Sequence, residues 1–485
     1  MTSLDRTTLT FRALTDEQIY RLHLATLEVL ERTGVAVQEE EARNLLLDAG
    51  AYAGRGDIVR IPAWMVKQAL ATAPEKVVMH DRNGRRVMPL EGDNVFFGTG
   101  SDTPYTIDPY TRQRRKARKE DVRKIATLSD YLSNIDFVMG MGVPDDVHRR
   151  STYLHEFDSM VNGTTKPLVA TAFNNDDLRA VYEIAVVTAG GEQQLRERPF
   201  FILYAEPIAP LQHTKISAEK LLFCAEKGIP CAYIPTVMAG GSGPVTLAGS
   251  MAVANAEVLS GLVMSQLKCP GAPFIYGVNV TILDMRTVIC AYGAPEFSMT
   301  NSICADMAHY YRLPVWGLAG AADSKTLDAQ AAAEAMFSIL MAVLSGGNLV
   351  HDVGYIESGL TSCMEMILLC DELISMCRRA ARGFELDSNA FALEVIDRIG
   401  PGGFFLDSPH TLDKWREAHW YPRFMDRRRY PAWKEDGCPD MYDRLNAEVQ
   451  SILKTHSVEP LPTEKRSEIG KIVAAFEAQH ATEAP

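Results

Sequence analysis

From Thr15 the run TDEQIYRLHLATLEVLERTG places apolar residues at helical spacing behind a capping threonine and an acidic first turn, with Gly34 as the stop. The stretches EEEARNLLLDAG and WMVKQALATA repeat that pattern, so residues 1–75 are expected to form a helical N-terminal extension. The pattern then changes to short apolar runs alternating with longer helical ones. The runs are NVFFGTG from Asn94, IDFVMGMG from Ile135, PLVATAF from Pro167, PFFILYAEP from Pro199, IPCAYIPTV from Ile229, PFIYGVN from Pro273, LPVWGLAG from Leu313 and NLVHDVG from Asn348. About eight strands separated by helices predict an α/β chain with a (β/α)8 barrel over 76–400. Doubly wound sheets share the alternation, but most of these runs end in Gly, Asn, Pro, Glu or His, where a barrel collects its active-site loops. After Gly400 the pattern decays into DKWREAHWYPRFMDRRRYPAWKED and a polar helical tail. Residues 401–485 are therefore expected to pack on the barrel as an irregular and helical C-terminal extension suited to a subunit contact, with the basic run solvated or ion-paired.

Composition narrows the function classes. With 485 residues, 47% hydrophobic and 23% charged, the chain is ordinarily globular. A net charge of −13 with no basic patch argues against nucleic acid. The opening MTSLDRTTLTFRALTDEQ carries no apolar leader core and no lipidation signal, which points to the cytoplasm. FSILMAVLSGGNLV is too short for a bilayer and reads as core. The nine cysteines form no CxxC pair and no zinc-spaced cluster, so no intrinsic metal is expected. Cys363, Cys370 and Cys377 share a helix face and read as buried small apolar residues.

Candidate chemistry collects at the strand ends. Asp102, Glu206, Asn279, and His351 with Asp352 could build a polar pocket, although a lone carboxylate in such a loop can simply cap the next helix. Aromatic residues share these windows: Phe96, Phe97, Tyr105, Phe173, Tyr204, Tyr276, Trp316 and Tyr355. Such rings hold a quaternary ammonium, which has no N–H to donate and is drawn to the ring quadrupole. The glycine-rich loop Gly240, Gly241, Ser242, Gly243 opens a helix but matches no nucleotide motif; it reads as a flexible barrel loop that lets a large planar cofactor approach the backbone.

The segments EPIAPLQHTKISAEKLLFCAEKGIPCAYIP, AGGSGPVTLAGSMAVANAEVLSG, FFGTGSDTPYTID and GGNLVHDVGYIESGLTS resemble the trimethylamine methyltransferase family, nearly end to end. That resemblance implies a (β/α)8 barrel whose open end docks a cobalamin-bearing corrinoid protein, with Co(I) attacking an N-methyl carbon. Members acting on trimethylamine carry pyrrolysine, which this chain lacks; it is similar to the pyrrolysine-free members that use glycine betaine and release dimethylglycine. A quaternary amine leaves as a neutral tertiary amine, so positioning and desolvation suffice for catalysis. On this reading Asp102 and Glu206 supply counter-charge, and Phe97 and Tyr204, with Tyr355, wall the ammonium. His351 or Asn279 hydrogen-bonds the substrate carboxylate, and Gly240, Gly241, Ser242 and Gly243 lie beside the corrin. A homo-oligomer is expected. The rival readings are proline betaine or carnitine as substrate, a non-catalytic betaine binder, and a barrel lyase or isomerase gripping phosphate near Asp323, Ser324 and Lys325.

Overall fold

The computed structural model describes residues 8–481; the first seven residues, part of the stretch read above for a leader, lie outside it. Eight parallel strands form the ring: β1 (Phe96–Thr99), β2 (Val138–Met139), β3 (Leu168–Ala170), β4 (Phe201–Ala205), β5 (Cys231–Tyr233), β6 (Phe274–Ile275), β7 (Trp316–Leu318) and β8 (Leu349–Val353). Strands β2 to β6 pair in sequence order, as do β7, β8 and then β1. Single parallel bridges, Gly98 to Phe137 and Tyr276 to Val315, close the two remaining seams. All eight predicted runs contribute a strand. At the first seam a Cβ on Gly98 would stand 2.3 Å from the Phe137 ring, so the close approach there requires glycine.

A helix follows each strand in turn: α1 (Lys119–Tyr131), α2 (Thr152–Gly163), α3 (Asn175–Ala189), α4 (Lys215–Lys227), α5 (Leu247–Lys268), α6 (Pro295–Tyr311), α7 (Ala329–Ser345) and α8 (Met364–Arg382). Helix α5 is long and apolar enough to cross a membrane by composition alone, yet it is mostly buried. The N-terminal helices Asp16–Glu28, Glu40–Asp48 and Ala63–Thr72 cover its outer side, which explains why it is apolar all round. Cys363, at the start of α8, and Cys370 and Cys377 on it are all buried, as core residues should be.

The lower end of the barrel is filled. A hairpin of Val77–His80 and Arg86–Leu90 sends Val77, Met79, Met88 and Leu90 into one cluster with Phe137, Met139, Val169, Ile202, Ile275, Trp316 and Leu349. These inward residues come from β2, β3, β4, β6, β7 and β8, the layered filling typical of such barrels.

The extensions differ from expectation in one respect each. The N-terminal segment is not purely helical. Val35–Val37, Tyr52–Ala53 and Ile58–Arg60 form a small sheet that continues into Gln212–His213, strands too short to leave a periodic signal. In the C-terminal part, Thr463–His480 lies on α3 and Met441–Thr455 on α8 and α1. The basic run is ion-paired: Arg428 with Asp426 and Asp436, Arg423 with Glu448. Between these parts, however, the helices Ser388–Phe391, Leu393–Ile399 and Pro409–Ala418 bury no residue. Phe384, Phe391, Leu393, Phe404, Leu406 and Leu412 are each more than half exposed there.

Candidate active site

The C-terminal ends of the strands enclose the mouth. Past β1 the chain turns so that Asp102 takes a φ of +52°, a left-handed conformation that Asp tolerates better than most residues. Its backbone N–H is fixed to Gly140 O at 2.9 Å. The Tyr355 hydroxyl holds the same turn from behind, accepting from Ser101 N and donating to Ser101 O, and Gly100 lacks the Cβ that would collide with the tyrosine ring.

Opposite Asp102 stands Glu156, from α2, 1% exposed. The Thr171 hydroxyl sits between the two carboxyl groups, 3.2 Å from Asp102 Oδ1 and 3.3 Å from Glu156 Oε1. One hydroxyl donates to one acceptor at a time, so Thr171 donates to one carboxyl group and can accept a hydrogen bond from the other when that one is protonated. Burial, reinforced by the Asp102 charge, raises the Glu156 carboxyl well above its usual value. Burial pushes Asp102 up to about 6, opposed by the hydroxyls of Thr171 and Ser101. Of the two, Glu156 therefore holds a proton the more readily. A Cβ at Gly140 would lie 1.8 Å from Glu156 Oε1, so that glycine makes room for the pair.

Across the mouth, Glu206 accepts from the Tyr204 hydroxyl and, at 3.1 Å, from Thr236 Oγ1. Asn279 Nδ2 donates onward to Tyr204 OH at 3.4 Å and to Thr236 Oγ1 at 3.3 Å, and its Oδ1 is buried without a partner. Glu206 is hemmed in by protein yet keeps an exposed face, the signature of a group lining an open cavity. Burial raises its carboxyl, and the two hydroxyl donors oppose that.

The floor is aromatic. The Tyr204 ring lies 5.1 Å from Trp316 and 6.0 Å from His351, and Trp316 and His351 are 4.4 Å apart. His351 Nδ1 is 2.8 Å from Asp352 Oδ1, but neither the ring nitrogens nor the carboxylate oxygens are aligned in a hydrogen bond. Buried polar atoms without partners are uncommon, and here Asn279, His351 and Asp352 all carry them.

Of the residues picked from sequence, Asp102, Glu206, Tyr204, Asn279 and His351 converge on this mouth. Phe97 does not. Strand alternation pairs Phe96 with Leu349, which faces the barrel interior, and sends Phe97 with Val350 into the outer cluster beneath the helices. The Arg378 guanidinium covers its ring there, at 5.6 Å. Tyr355 is buried behind Ser101 and acts as a strut. In the glycine-rich loop, Ser242 Oγ accepts from Met238 N at 2.9 Å, and a Cβ on Gly243 would meet Val237 at 2.5 Å, so these two residues hold the turn itself. Gly240 and Gly241 are exposed at the tip of a flap built from Thr236–Ala239, Asn279–Asp284 and Ile289–Cys290. Asp323, part of the phosphate alternative, accepts from the N–H groups of Tyr292 and Gly293 and the Ser358 hydroxyl, leaving it a structural acceptor. Sequence reasoning missed Glu156, Tyr153, Thr171, Lys220 and Tyr292. Among these Glu156 had one trace, the glycine of MGMG that makes its space.

A closed (β/α)8 barrel with an acidic, aromatic-lined mouth defines the class: a barrel that works at the C-terminal ends of its strands. The model of the trimethylamine methyltransferase family matches residues 1–481, and the chain belongs to that family. The trimethylamine methyltransferase MttB of Desulfitobacterium hafniense is 33% identical over 466 residues, covering 96% of this chain and 94% of its own. The glycine betaine methyltransferase of the same species is 30% identical over 475 residues, 98% of each chain. Among solved structures, the Methanosarcina barkeri monomethylamine methyltransferase superposes with a TM-score of 0.53 at 12% identity, over 92% of this chain and 89% of its own, a likeness of fold.

Proposed function

We propose that this protein takes a methyl group from a quaternary ammonium compound and hands it to the Co(I) of cobalamin carried by a separate corrinoid protein. The observation that carries this reading is the mouth itself: Tyr204 and Trp316 beneath, with Asp102 and Glu206 as counter-charges, a setting for a cation that cannot donate a hydrogen bond. Glycine betaine, giving dimethylglycine, is the substrate that the resemblance brings forward. The acceptor supplies the electron pair for the new bond to carbon while the C–N pair stays on nitrogen, so no proton need be delivered. The side chains bind and orient the ammonium, and the walls exclude water from it.

The rim fits a large planar acceptor. Gly240 has a φ of +90°, and an added Cβ there would touch Met285 and Val245, so a smooth apolar ledge surrounds it. Val245, Met285 and Val288 are 73%, 71% and 73% exposed on this flap, a patch rimmed by the polar mouth. Gly240 and Gly241 with these side chains would lie beside the corrin. Met285→Asp is expected to lower methyl transfer to the corrinoid protein about tenfold, the order of a centrally placed apolar interface contact, while transfer to free cobalamin stays unchanged. Equal losses with both acceptors would take the flap out of docking.

The reading is tested by anaerobic absorbance with Co(I) cobalamin and quaternary amines, together with product analysis. No demethylation of any quaternary amine by folded protein with a competent acceptor would overturn it. A cytoplasmic location belongs to the same proposal, as does a homo-oligomer. The apolar arm around Phe384 to Leu412 supports the latter: its phenylalanines Phe384, Phe391, Phe404 and Phe405 are 61%, 51%, 69% and 45% exposed, apolar surface of the kind that subunit contacts cover. Sedimentation at micromolar concentration is expected to give more than one chain per particle, and Phe404→Asp to reduce that number. A monomeric wild type would exclude the oligomer.

A further inference from the structure

Beneath the barrel, at the end away from the mouth, a second cavity of about 620 Å³ opens between three parts of the chain. They are the turn of the plugging hairpin, the segment that leads into β4, and the strap that joins the last two helices. That volume lies in the range of small-molecule sites, roughly 300–1,000 Å³. Four cations line it, Arg82, Arg85, Arg198 and Lys465, against two carboxylates, Asp81 and Glu459. The chain as a whole carries a net charge of −13, so positive charge gathered here runs against the molecule's own field.

Pairing within the cavity leaves most of that charge uncompensated. Arg85 takes Asp81, Nε to Oδ2 at 2.6 Å, and the same carboxylate also accepts from the backbone N–H groups of Asn83 and Arg85. Glu459 receives the Asn83 amide at 2.9 Å. The other three cations have no carboxylate within ion-pair distance among the described residues. Arg82 spends its two terminal nitrogens on the carbonyl oxygens of Val161 and Glu459, and Lys465 donates to the Thr188 carbonyl at 2.6 Å. Arg82 is only 6% exposed, its Nε is buried without a partner, and burial makes its charge costly to keep. Arg198 is exposed and has neither a hydrogen bond nor an ion pair among the described residues. Its side chain stands over the hairpin turn, where a Cβ on Gly84 would lie 3.5 Å from Arg198 Cδ. The rest of the wall is apolar, with Pro460 and Pro462 exposed along the strap.

We propose that this cavity binds a phosphate-bearing small molecule, its oxygens accepting from Arg198, Arg85 and Lys465 and any organic part lying against Pro460 and Pro462. A phosphate group brings about two negative charges and three acceptor oxygens on one centre, and guanidinium forks match it two bonds at a time. Lys465 has spent one of its three donors, and the terminal nitrogens of Arg85 remain free for it. Arg82, its nitrogens committed or enclosed, contributes charge alone. A ligand here ties the hairpin that plugs the barrel to the C-terminal strap.

Calorimetry on the full chain tests this with inorganic pyrophosphate, ADP and citrate. One equivalent of a phosphate probe is expected per chain, with citrate about tenfold weaker. Tighter pyrophosphate marks a free anion and tighter ADP an ester, and either result supports the site. Arg198→Gln, at an exposed position, is expected to lower the affinity about tenfold, the worth of one hydrogen bond to a charged group. Arg32→Gln, which removes an exposed charge from the N-terminal extension, should leave it unchanged. On binding to the wild type, hydrogen exchange should slow in 81–85 and 459–465. The inference is overturned by the absence of saturable binding at millimolar pyrophosphate and ADP, by citrate binding as tightly as either, by the two variants weakening alike, or by exchange that slows elsewhere only. None of these readouts involves the methyl donor or its acceptor, so the proposed reaction can fail while this site stands.

Discussion

Asp102→Asn is expected to weaken binding of the quaternary amine about 100-fold while the protein folds normally. Truncating one partner of a close, desolvated charge contact removes roughly 2–5 kcal/mol, and each 1.4 kcal/mol is tenfold. Asparagine is the informative replacement because it shares the aspartate's tolerance of the left-handed backbone at φ +52° and can still accept from Thr171. Alanine would add backbone strain to the loss of charge. Calorimetry with tetramethylammonium reads the effect directly, and an unchanged affinity would remove Asp102 from the site.

Acidification should act through the same group. A cation binds the ionised form of Asp102, whose carboxyl burial has pushed up to about 6. The affinity is therefore fully present above that pH and lost as the pH falls through it, about tenfold lower at pH 5 than at pH 8. Glu206, also raised by burial, steepens the fall. Glu156→Gln serves as the control. Burial and the Asp102 charge both favour the protonated form of Glu156, so the neutral amide should leave both the affinity at pH 8 and the profile unchanged within about threefold. A larger change would mean that Glu156 is charged or touches the amine itself.

The barrel was legible because every strand is a short apolar run with a polar end, and eight such runs in alternation leave few topologies. What the runs could not give is their phase. Phe96 and Phe97 are adjacent and equally apolar, and the choice between the interior and the helix layer rests on the register with Leu349 and Val350. Asp102, Glu206, Asn279 and His351 converge because residues just past a parallel strand share one end of the ring. Glu156 was invisible for the converse reason: it sits within a helix between Leu154 and Phe157, and only the folded chain shows that this turn of α2 hangs over the mouth. Lys220 and Tyr292 reach the site in the same way, from a helix and from the flap. The small N-terminal sheet escaped because two or three residues per strand cannot show a period.

The hairpin packs Met79 and Met88 into the lower barrel, so among the described residues the interior opens at the C-terminal ends of the strands. Under the proposed reaction, donor and acceptor would share that opening, and that would impose an order in time. The amine would enter first, the acceptor would then close over it, and the demethylated amine would wait for the acceptor to withdraw. Turnover would become a compulsory sequence in which the larger partner, supplied in excess, settles on empty barrels and slows the reaction.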